Sequence, residues 1–571
     1  MENVRKLTRR DFLKGAAKTA AVVAVSGALP SIIGCSGDSS SGVVYDTLIR
    51  GGEVYDGLGN APRIADIGII GDRIVAVGNL TGGGLRTIEA QGLLVCPGFI
   101  DVHTHVDISY LWLEPIEDWE SVKDLTGSFN YLFQGVTTVV GGNCGYGYYG
   151  EYDIDYFFSN LEKAGYGTNI CTLAAHGLIR QALLGDDQPK EGLSPQQFQD
   201  MENRFRCQMK QGTIGFSTGL EYAPGSYAKT KELVDLAKVV REYGGLYTSH
   251  TRDQTGKGVW GGKGVLASID EAIEIGTNAD IPVHVSHLQV TQPWSDPEGN
   301  QMADLILEKI ENARAAIDIT ACIHTYDKGW SPLNYRLPEN LKSNMGIKER
   351  CKEDARKAIE EVFEYLKPKE ITVLDVPWKA ECSMKLLSEL PNVPKSGYEG
   401  MTPAECFVDL LARDQTQYPA PYGYFNEIKG PVKNSIIHGD HIFMSSDGFA
   451  SSEDPKRKTP IVHPRSFNNV TRVLTKFVKP AQGAGMDFST AISKMTSLPA
   501  DKFKLRERGR IEEGYFADIV VIDREKLKVN ADFEIENRYS EGVEYCLVNG
   551  VLAIDHGNAT DQRAGKVLRR V

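Results

Sequence analysis

The stretch LLVCPGFIDVHTH, residues 93–105, decides the fold of this chain. It is an apolar run that ends in two histidines, His103 and His105, separated by a single residue. Side chains along a strand alternate between its two faces, so both imidazoles point the same way and can bind one metal ion together. A strand that ends in such a pair, early in a long chain, predicts a metal-dependent hydrolase barrel.

The chain after this strand alternates apolar runs with helical stretches, which predicts a parallel sheet made of βαβ units. Eight strand candidates end at Val102, Gly142, Ala175, Leu220, Ser249, Ser286, Ile323 and Ser446. Eight parallel strands with intervening helices fit a TIM barrel, in which the chemistry lies at the C-terminal ends of the strands. The predicted fold class is therefore α/β, with a TIM (β/α)8 barrel at its centre.

Polar residues follow these strand ends, and most of them are of types that bind metals. In chain order they are His103 and His105, Cys144, His176, Glu221, His250, His287, His324 and Asp447. Zinc takes nitrogen and sulfur ligands, and catalytic zinc sites keep one position open for water. Up to six ligands are available for one tight zinc site and a second, weaker one: His103, His105, Cys144, His250, His287 and Asp447.

Three of the residues near strand ends carry more specific chemistry. Cys144 lies in GGNCG (141–145), where glycines let the backbone turn sharply and bring the thiolate to a metal. Asp447, in SSDG (445–448), can take a proton from water and pass it to a leaving amine, which amide hydrolysis requires. Arg465, in HPR (463–465), can hold a substrate carboxylate by two hydrogen bonds, and a structural salt bridge is the alternative.

Other parts of the chain predict elements outside the barrel. Short strands in residues 43–95 and 505–571 predict one small β-sandwich domain built from both chain ends, beside a barrel of residues 96–504. A long excursion at about 328–439 separates strands seven and eight and predicts an inserted subdomain. It contains a strongly charged helix, predicted at residues 348–366.

The first 42 residues predict export. TRRDFLK (8–14) is a twin-arginine signature, and the apolar stretch after it is too short to span a membrane. IIGC (32–35) resembles a lipoprotein cleavage box, so residues 1–35 are the predicted signal and Cys35 is the predicted lipidated residue. A Ser/Gly-rich flexible tether follows at 36–42. We therefore expect a lipoprotein that faces the periplasm or cell surface and contacts the membrane through its lipid only.

Charge and cysteine content narrow the function further. The formal net charge of −13 disfavours a nucleic-acid partner, because phosphate neutralisation needs basic patches. The ten cysteines lack paired spacing and do not form a predicted disulfide framework. These features leave the oligomeric state open.

Taken together, the motifs resemble the D-aminoacylase (N-acyl-D-amino-acid deacylase) branch of the amidohydrolase superfamily. The resemblance rests on GFIDVHTH (98–105), QGVTTVV (134–140), NCG (143–145), SHTR (249–252), VSH (285–287), SDG (446–448), HPR (463–465) and KMTSLPA (494–500). It implies a TIM barrel beside a small β domain, and zinc held by a cysteine where hydantoinases use a carboxylated lysine. It also implies hydrolysis of N-acyl-D-amino acids or of dipeptides with a C-terminal D-residue.

The same resemblance assigns roles to individual residues. It implies a tight zinc at Cys144, His250 and His287, and a weaker position at His103, His105 and Asp447. Asp447 becomes the catalytic acid/base, and Arg465 binds the substrate carboxylate.

One segment departs from the family pattern. Residues 320–326 read TACIHTY, where the family commonly has a Tyr-Pro-Tyr-like run after Thr-Ala-Asp. Tyr326 can take the place of the second tyrosine, whereas His324 replaces the first. We expect both residues to contact the substrate, in a pocket altered on its carboxylate side.

Two other functions compete with this one. A cyclic-amide hydrolase of the hydantoinase or dihydroorotase kind needs a lysine at the end of strand four, where this chain has Glu221. A non-catalytic, ligand-binding surface lipoprotein would have no use for an acid/base such as Asp447.

Overall fold

The computed structural model describes residues 43–570 with some internal gaps. The gaps are residues 110–122, 148–153, 185–191, 256–262, 289, 291–295, 334–355, 358, 362, 364–366, 375, 377, 412–421, 427–429, 454–461, 479–484 and 534–536. The predicted signal, the tether and Cys35 lie outside the described residues. Among the described helices, none has the length and apolar character needed to cross a membrane.

Twenty-two strand segments are present among the described residues. They are β1 (Val44–Val54), β2 (Arg63–Ile70), β3 (Arg73–Gly78), β4 (Gly83–Glu89), β5 (Leu94–Pro97), β6 (Phe99–Asp101), β7 (Val136–Gly141), β8 (Asn169–Thr172), β9 (Ala174–Ala175), β10 (Gly215–Gly219), β11 (Leu246–His250), β12 (Val283–Val285), β13 (Ile319–Ile323), β14 (Lys328–Pro332), β15 (Ile371–Val373), β16 (Lys385–Leu386), β17 (Tyr422–Asn426), β18 (Ile442–Met444), β19 (Ile519–Ile522), β20 (Val543–Val548), β21 (Val551–Asp555) and β22 (Asn558–Ala559).

Thirteen α-helices have both of their ends within the described residues. They are α1 (Lys123–Thr126), α2 (Phe129–Leu132), α3 (Ile154–Ala164), α4 (His176–Leu184), α5 (Pro195–Lys210), α6 (Thr230–Glu242), α7 (Gly264–Ala279), α8 (Asp296–Arg314), α9 (Pro403–Leu411), α10 (Gly430–His438), α11 (Arg465–Arg472), α12 (Phe488–Ser493) and α13 (Ser497–Lys502).

A parallel barrel of eight strands forms the centre of the molecule. β6, β7 and β8 pair in one sheet, and β9 to β13 pair with β18 in another, with every pair parallel. β8 and β9 are one barrel strand interrupted at Leu173, and a parallel bridge between Thr104 and Gly448 joins the first strand to the last. The predicted TIM barrel is confirmed, and the strands end within two residues of their predicted ends.

The barrel strands are buried on both faces, and the helices around them are amphipathic, as this fold requires. α6 is an example: it places Leu233, Leu236, Ala237 and Val240 in the core, at spacings of three and four residues. Such a stripe faces the sheet while the opposite side meets water.

Both ends of the chain build one nine-stranded sheet. Its order is β22-β21-β20-β19-β5-β1-β2-β3, with β4 paired to β1, and the antiparallel pairing of β5 with β19 joins the two ends. Ile67 and Ile69 of β2 share an apolar cluster with Ile519 and Val521 of β19. The predicted small β domain from both chain ends therefore corresponds to a continuous sheet with its own core.

The insertion after β13 has a sheet of its own. Its antiparallel order is β14-β17-β15-β16, and its core includes Ile371, Val373, Phe407 and Phe425. Most of the predicted charged helix at 348–366 lies outside the described residues, and its described positions between 356 and 363 are helical. α10, which follows β17, adds Ile436 and Ile437 to the barrel core, so the sheet of the insertion ends before the predicted boundary at Gly439.

Candidate metal-dependent active site

The six predicted metal ligands lie together, buried, at the C-terminal end of the barrel. The Cys144 Sγ atom lies 3.2 Å from His103 Nε2 and 3.3 Å from His287 Nε2. The rings of His250 and His287 have their centroids 4.5 Å apart. Three overlapping groups each have donor atoms within 4.8 Å of one another: His103 with His105 and Cys144, Cys144 with His250 and His287, and His103 with His287 and Asp447.

Three of these residues have an unusual backbone conformation. φ is +56° at Cys144, +23° at His287 and +50° at Asp447. Non-glycine residues rarely adopt positive φ, at a cost of about 1–3 kcal/mol each, and they do so mainly where the surrounding structure imposes it at functional sites. Each of the three follows the end of a barrel strand, and its left-handed backbone conformation directs the side chain toward the common centre.

The Asn-Cys-Gly turn is held by its neighbours in the barrel. The backbone N–H of Gly145 donates to the Ser217 hydroxyl (2.9 Å), which donates to the Gly142 carbonyl (2.5 Å). The Tyr222 hydroxyl donates to the carbonyl of Cys144 (2.7 Å). A Cβ at Gly145, where φ is +72°, would lie 2.8 Å from the backbone nitrogen of Gly219, so glycine is required there.

The first and last barrel strands meet at a seam that joins the two sides of the site. The Asp101 carboxylate accepts from the backbone N–H groups of His103 (3.2 Å) and Ser446 (3.1 Å). The N–H of Asp447 donates to the His103 carbonyl (2.9 Å), and the N–H of His105 donates to the Gly448 carbonyl (2.7 Å). These bonds fix Asp447 relative to the histidine pair.

The carboxylate of Asp447 is surrounded by cationic and imidazole groups. Its Oδ1 lies 3.0 Å from His105 Nε2 and 3.4 Å from His103 Nε2, and its Oδ2 lies 2.6 Å from Arg465 Nη2. Burial alone would raise the pKa of Asp447, but Arg465 and the histidines hold it well below its usual range. Asp447 is therefore a carboxylate and can accept a proton.

The other donors also suit a metal. Burial lowers the pKa of His103 to about 4 and that of His287 well below its ordinary value, so both imidazoles are neutral near pH 7. Burial raises the pKa of the Cys144 thiol, which must lose its proton when it binds a metal. One sulfur, several imidazole nitrogens and one carboxylate are the donor types that zinc prefers, so these residues fit zinc.

Gln254 orients one of these imidazoles. Its amide nitrogen lies 3.1 Å from His287 Nδ1, and its Oε1 is buried with no hydrogen-bond partner among the described residues. The two ends of an amide are assigned from their hydrogen bonds. With the amide turned over, Oε1 would accept the Nδ1 proton and leave Nε2 of His287 free to bind a metal, the arrangement usual for metal-bound histidines.

The metal-binding cluster opens into a cavity of about 260 Å³. Its described polar and metal-binding lining includes His105, Cys144, Glu221, His250, Gln254, His287, Asp447 and Arg465. The remaining described lining is mainly apolar and aromatic: Ile108, Tyr146, Tyr222, Trp330, Pro332, Tyr422 and Phe449. A pocket of this size and mixed lining suits a small molecule with one polar and one apolar end.

His324 and Tyr326, the two predicted substrate contacts, do not line this cavity. His324 is fully buried, and Tyr326 packs its ring 5.1 Å from that of His463 and faces a second cavity beside Arg472. The chain turns after Tyr326 into β14, and that strand brings Trp330 to the site instead. The role of His324 and Tyr326 as substrate contacts stays a prediction.

Two other residues of the strand-end series have different positions. His176 begins α4 and lies 3.0 Å from Glu232 of α6, which also pairs with Arg180, so it belongs to a buried structural triad. Glu221 lies in the cavity with its carboxylate 3.0 Å from His250 Nε2. Arg465 is buried beside the site, and its Nε donates to the Asp447 carbonyl (2.9 Å).

Sequence reasoning did not identify Gln254 or the aromatic residues that line the cavity. The available signal was topological: an insertion between strands seven and eight emerges on the catalytic face and must lie over the site. Which of its side chains reach the cavity depends on the register of β14 and β17, where Trp330 pairs with Tyr424 and Pro332 with Tyr422.

A buried thiol, imidazole and carboxylate cluster at the C-terminal end of a parallel barrel defines the class, a metal-dependent hydrolase. The sequence profile of the Amidohydrolase family matches residues 94–552, and the chain belongs to this family.

Relatives with assigned activities show which branch of the family this chain resembles. N-acyl-D-glutamate deacylase of Alcaligenes xylosoxydans xylosoxydans is 30% identical over 551 residues, covering 92% of this chain and 96% of that protein. The structure of N-acyl-D-glutamate deacylase from Bordetella bronchiseptica, complexed with zinc and a phosphonate mimic of the tetrahedral intermediate, has 27% identity and a TM-score of 0.73, covering 92% of this chain and 99% of that one. A D-aminoacylase with a binuclear metal centre matches at 26% identity and a TM-score of 0.73, covering 92% and 100%. The resemblance to D-aminoacylases is confirmed.

Proposed function

We propose that this protein is a zinc-dependent amide hydrolase that removes the acyl group from N-acyl-D-amino acids or cleaves dipeptides with a C-terminal D-residue. One observation carries the proposal: the Asp447 carboxylate, the zinc-compatible cluster around Cys144 and the Arg465 guanidinium all line one cavity. The relatives named as deacylases of N-acyl-D-amino acids support the same reaction.

Asp447 and Arg465 have complementary tasks in this reaction. Zinc, when bound, polarises the amide carbonyl and lowers the pKa of a water molecule to about 7. Asp447 accepts the proton of the attacking water and delivers it to the leaving amine. Arg465 uses Nε and Nη2 on Asp447, and its buried Nη1 has no hydrogen-bond partner among the described residues, so Nη1 is the atom for the substrate α-carboxylate.

Two zinc positions of unequal strength are part of the proposal. Cys144, His250 and His287 would hold the tight ion, since a thiolate gives the strongest of the available bonds. His103, His105 and Asp447 would face the weaker position. The D-aminoacylase with one-metal activation and second-metal attenuation supports this unequal pair.

The test compares metal-free protein, prepared with a chelator, with protein reloaded with zinc. We expect the reloaded protein alone to cleave N-acetyl-D-amino acids, with the L-enantiomers and cyclic ureides such as hydantoins poor substrates. Zinc content by elemental analysis is measured on the same samples. Faster cleavage of hydantoins would replace the proposal by the cyclic-amide alternative, and cleavage of neither class with zinc bound would favour a non-catalytic protein.

A further inference from the structure

We infer that the substrate carries a large apolar side chain, aromatic or long aliphatic, and that the insertion after β13 selects it. This inference rests on the proposed function and names its substrate more closely. The feature responsible is an aromatic wall, defined here as Trp330, Tyr422 and Phe449.

The aromatic wall lines the same cavity as the metal-binding cluster. Trp330 and Tyr422 stack with ring centroids 4.4 Å apart and planes inclined by 20°, and Phe449 meets Trp330 edge-on at 4.8 Å. Phe449 also lies 5.2 Å from the His105 ring, which links the wall directly to the metal ligands. A substrate anchored at zinc and Arg465 would thus direct its third substituent toward these rings.

The wall is held rigidly by two different parts of the chain. Trp330 belongs to β14 and Tyr422 to β17, neighbouring antiparallel strands of the insertion, while Phe449 follows the last barrel strand. Trp330 and Phe449 are buried in a common apolar cluster with Leu374 and Val462. Because these rings are already packed, they offer a preformed apolar surface at little entropic cost.

The charges of the cavity oppose an acidic side chain. Arg465 is the only cationic lysine or arginine among the described residues that line the cavity, and it is engaged with Asp447. Glu221 and Asp447 add two carboxylates to the same lining. Among the described lining residues, a second substrate carboxylate, as in a D-glutamate derivative, would find no cationic partner of its own, which makes its burial strongly unfavourable.

The relatives make this inference specific to the chain, because N-acyl-D-glutamate deacylases are among them. Similarity alone does not choose between an acidic and a neutral side chain, because D-aminoacylases match this chain as well. The lining of the cavity favours an apolar one.

The experiment measures kcat/KM of the zinc-loaded enzyme for N-acetyl-D-phenylalanine, N-acetyl-D-alanine and N-acetyl-D-glutamate. We expect kcat/KM for the phenylalanine compound to exceed that for the glutamate compound by about a hundredfold or more. The reason is that an apolar pocket would leave the side-chain carboxylate of glutamate buried and unpaired. Binding of the same compounds to zinc-loaded Asp447→Asn, by calorimetry, gives the same order without turnover.

Trp330→Ala and Trp378→Ala form the matched pair of variants. Both remove an indole from the insertion, but only Trp330 lines the cavity. We expect Trp330→Ala to lower kcat/KM for the phenylalanine compound about tenfold more than for the alanine compound, and Trp378→Ala to lower both equally. The thermal stability of both proteins is recorded to show that they are folded.

The outcomes separate the inference from the proposed function. If N-acetyl-D-glutamate is cleaved as well as or better than N-acetyl-D-phenylalanine, the side-chain inference is overturned while the deacylase function stands. If the zinc-loaded enzyme cleaves no N-acyl-D-amino acid, the proposed function fails together with the inference.

Discussion

Asp447 shows how much of the site depends on one residue. One carboxylate oxygen faces His103 and His105, and the other faces Arg465. Its positive φ and its backbone bond to the His103 carbonyl fix its direction. Cys144 differs, because hydrogen bonds from Ser217 and Tyr222, outside its own turn, hold that turn in place. The two residues should therefore fail in different ways when they are changed.

Cys144→Ala should lose zinc and activity together, because the thiolate contributes much of the affinity of such a site. Asp447→Asn should retain the tight zinc while kcat falls about a hundredfold or more, as expected for the loss of a general acid/base. Elemental analysis and steady-state kinetics on both variants measure the difference. A normal zinc content in Cys144→Ala would exclude the sulfur as a ligand.

The proposed role of Arg465 is tested best by lysine. Arg465→Lys keeps a positive charge beside Asp447 and loses the planar fork that can hold a second carboxylate. In the wild-type enzyme, replacing the substrate α-carboxylate by an amide should cost about 2–5 kcal/mol in transition-state binding, and in the variant that difference should shrink. Equal kcat/KM for acid and amide substrates in the wild-type enzyme would show that Arg465 does not bind a carboxylate.

At the scale of elements, regular features could be predicted and irregular ones could not. Apolar runs followed by His, Cys or Asp located the barrel strands, because burial on both faces and the C-terminal position of function leave a local signal. The strands of the insertion end in no such metal-binding residues, so the sequence did not show which of its side chains reach the cavity. Its sheet joins β14 and β17 across a long stretch of chain, so the arrival of Trp330 at the cavity depends on pairing that is not local.

The buried triad between α4 and α6 offers a stability test at this scale. Glu232 pairs with His176 and with the fully buried Arg180. Glu232→Gln would leave the Arg180 charge without its partner, so we expect a loss of about 3–5 kcal/mol in the free energy of unfolding. Lys231→Gln is the control, since this neighbour makes an exposed ion pair with Asp235 that is worth about 0–1 kcal/mol. Urea unfolding at pH 7 measures both.

The same triad predicts that the free energy of unfolding depends on pH. Burial would raise the pKa of Glu232, but His176 and Arg180 hold it below the ordinary value of 4.5. A lowered pKa in the folded state stabilises the protein above about pH 4.5 and ceases to do so as pH falls through the folded pKa. The difference in unfolding free energy between wild type and Glu232→Gln should therefore shrink on acidification below pH 4.5. A difference that stays constant in that range would contradict this account.

At the scale of the whole molecule, seven of the eight described cysteines are buried as free thiols. One sheet joins strands β1 to β5 with strands β19 to β22, which lie far apart in the sequence. Free thiols are poorly suited to folding in an oxidising compartment. We propose that the protein folds and binds zinc before export by the twin-arginine route and is then anchored by lipid at Cys35.

This proposal predicts two separable defects. Cys35→Ala should release the exported protein from the membrane fraction, and Arg9→Lys combined with Arg10→Lys should retain it in the cytoplasm. Cell fractionation with immunodetection checks both, and enzymatic activity in each fraction shows that the protein is folded. Unchanged membrane association of Cys35→Ala would exclude the lipid anchor.

The seam between the first and last barrel strands has a consequence for synthesis on the ribosome. The hydrogen bond from Ser446 to Asp101 joins residues 345 positions apart, and contacts so distant in the chain form late in folding. A growing polypeptide that has already produced Cys144, His250 and His287 still lacks the strand that positions Asp447 and the helix that begins at Arg465. A prematurely terminated product therefore lacks the group proposed to transfer protons, so the cell gains no turnover from incomplete copies.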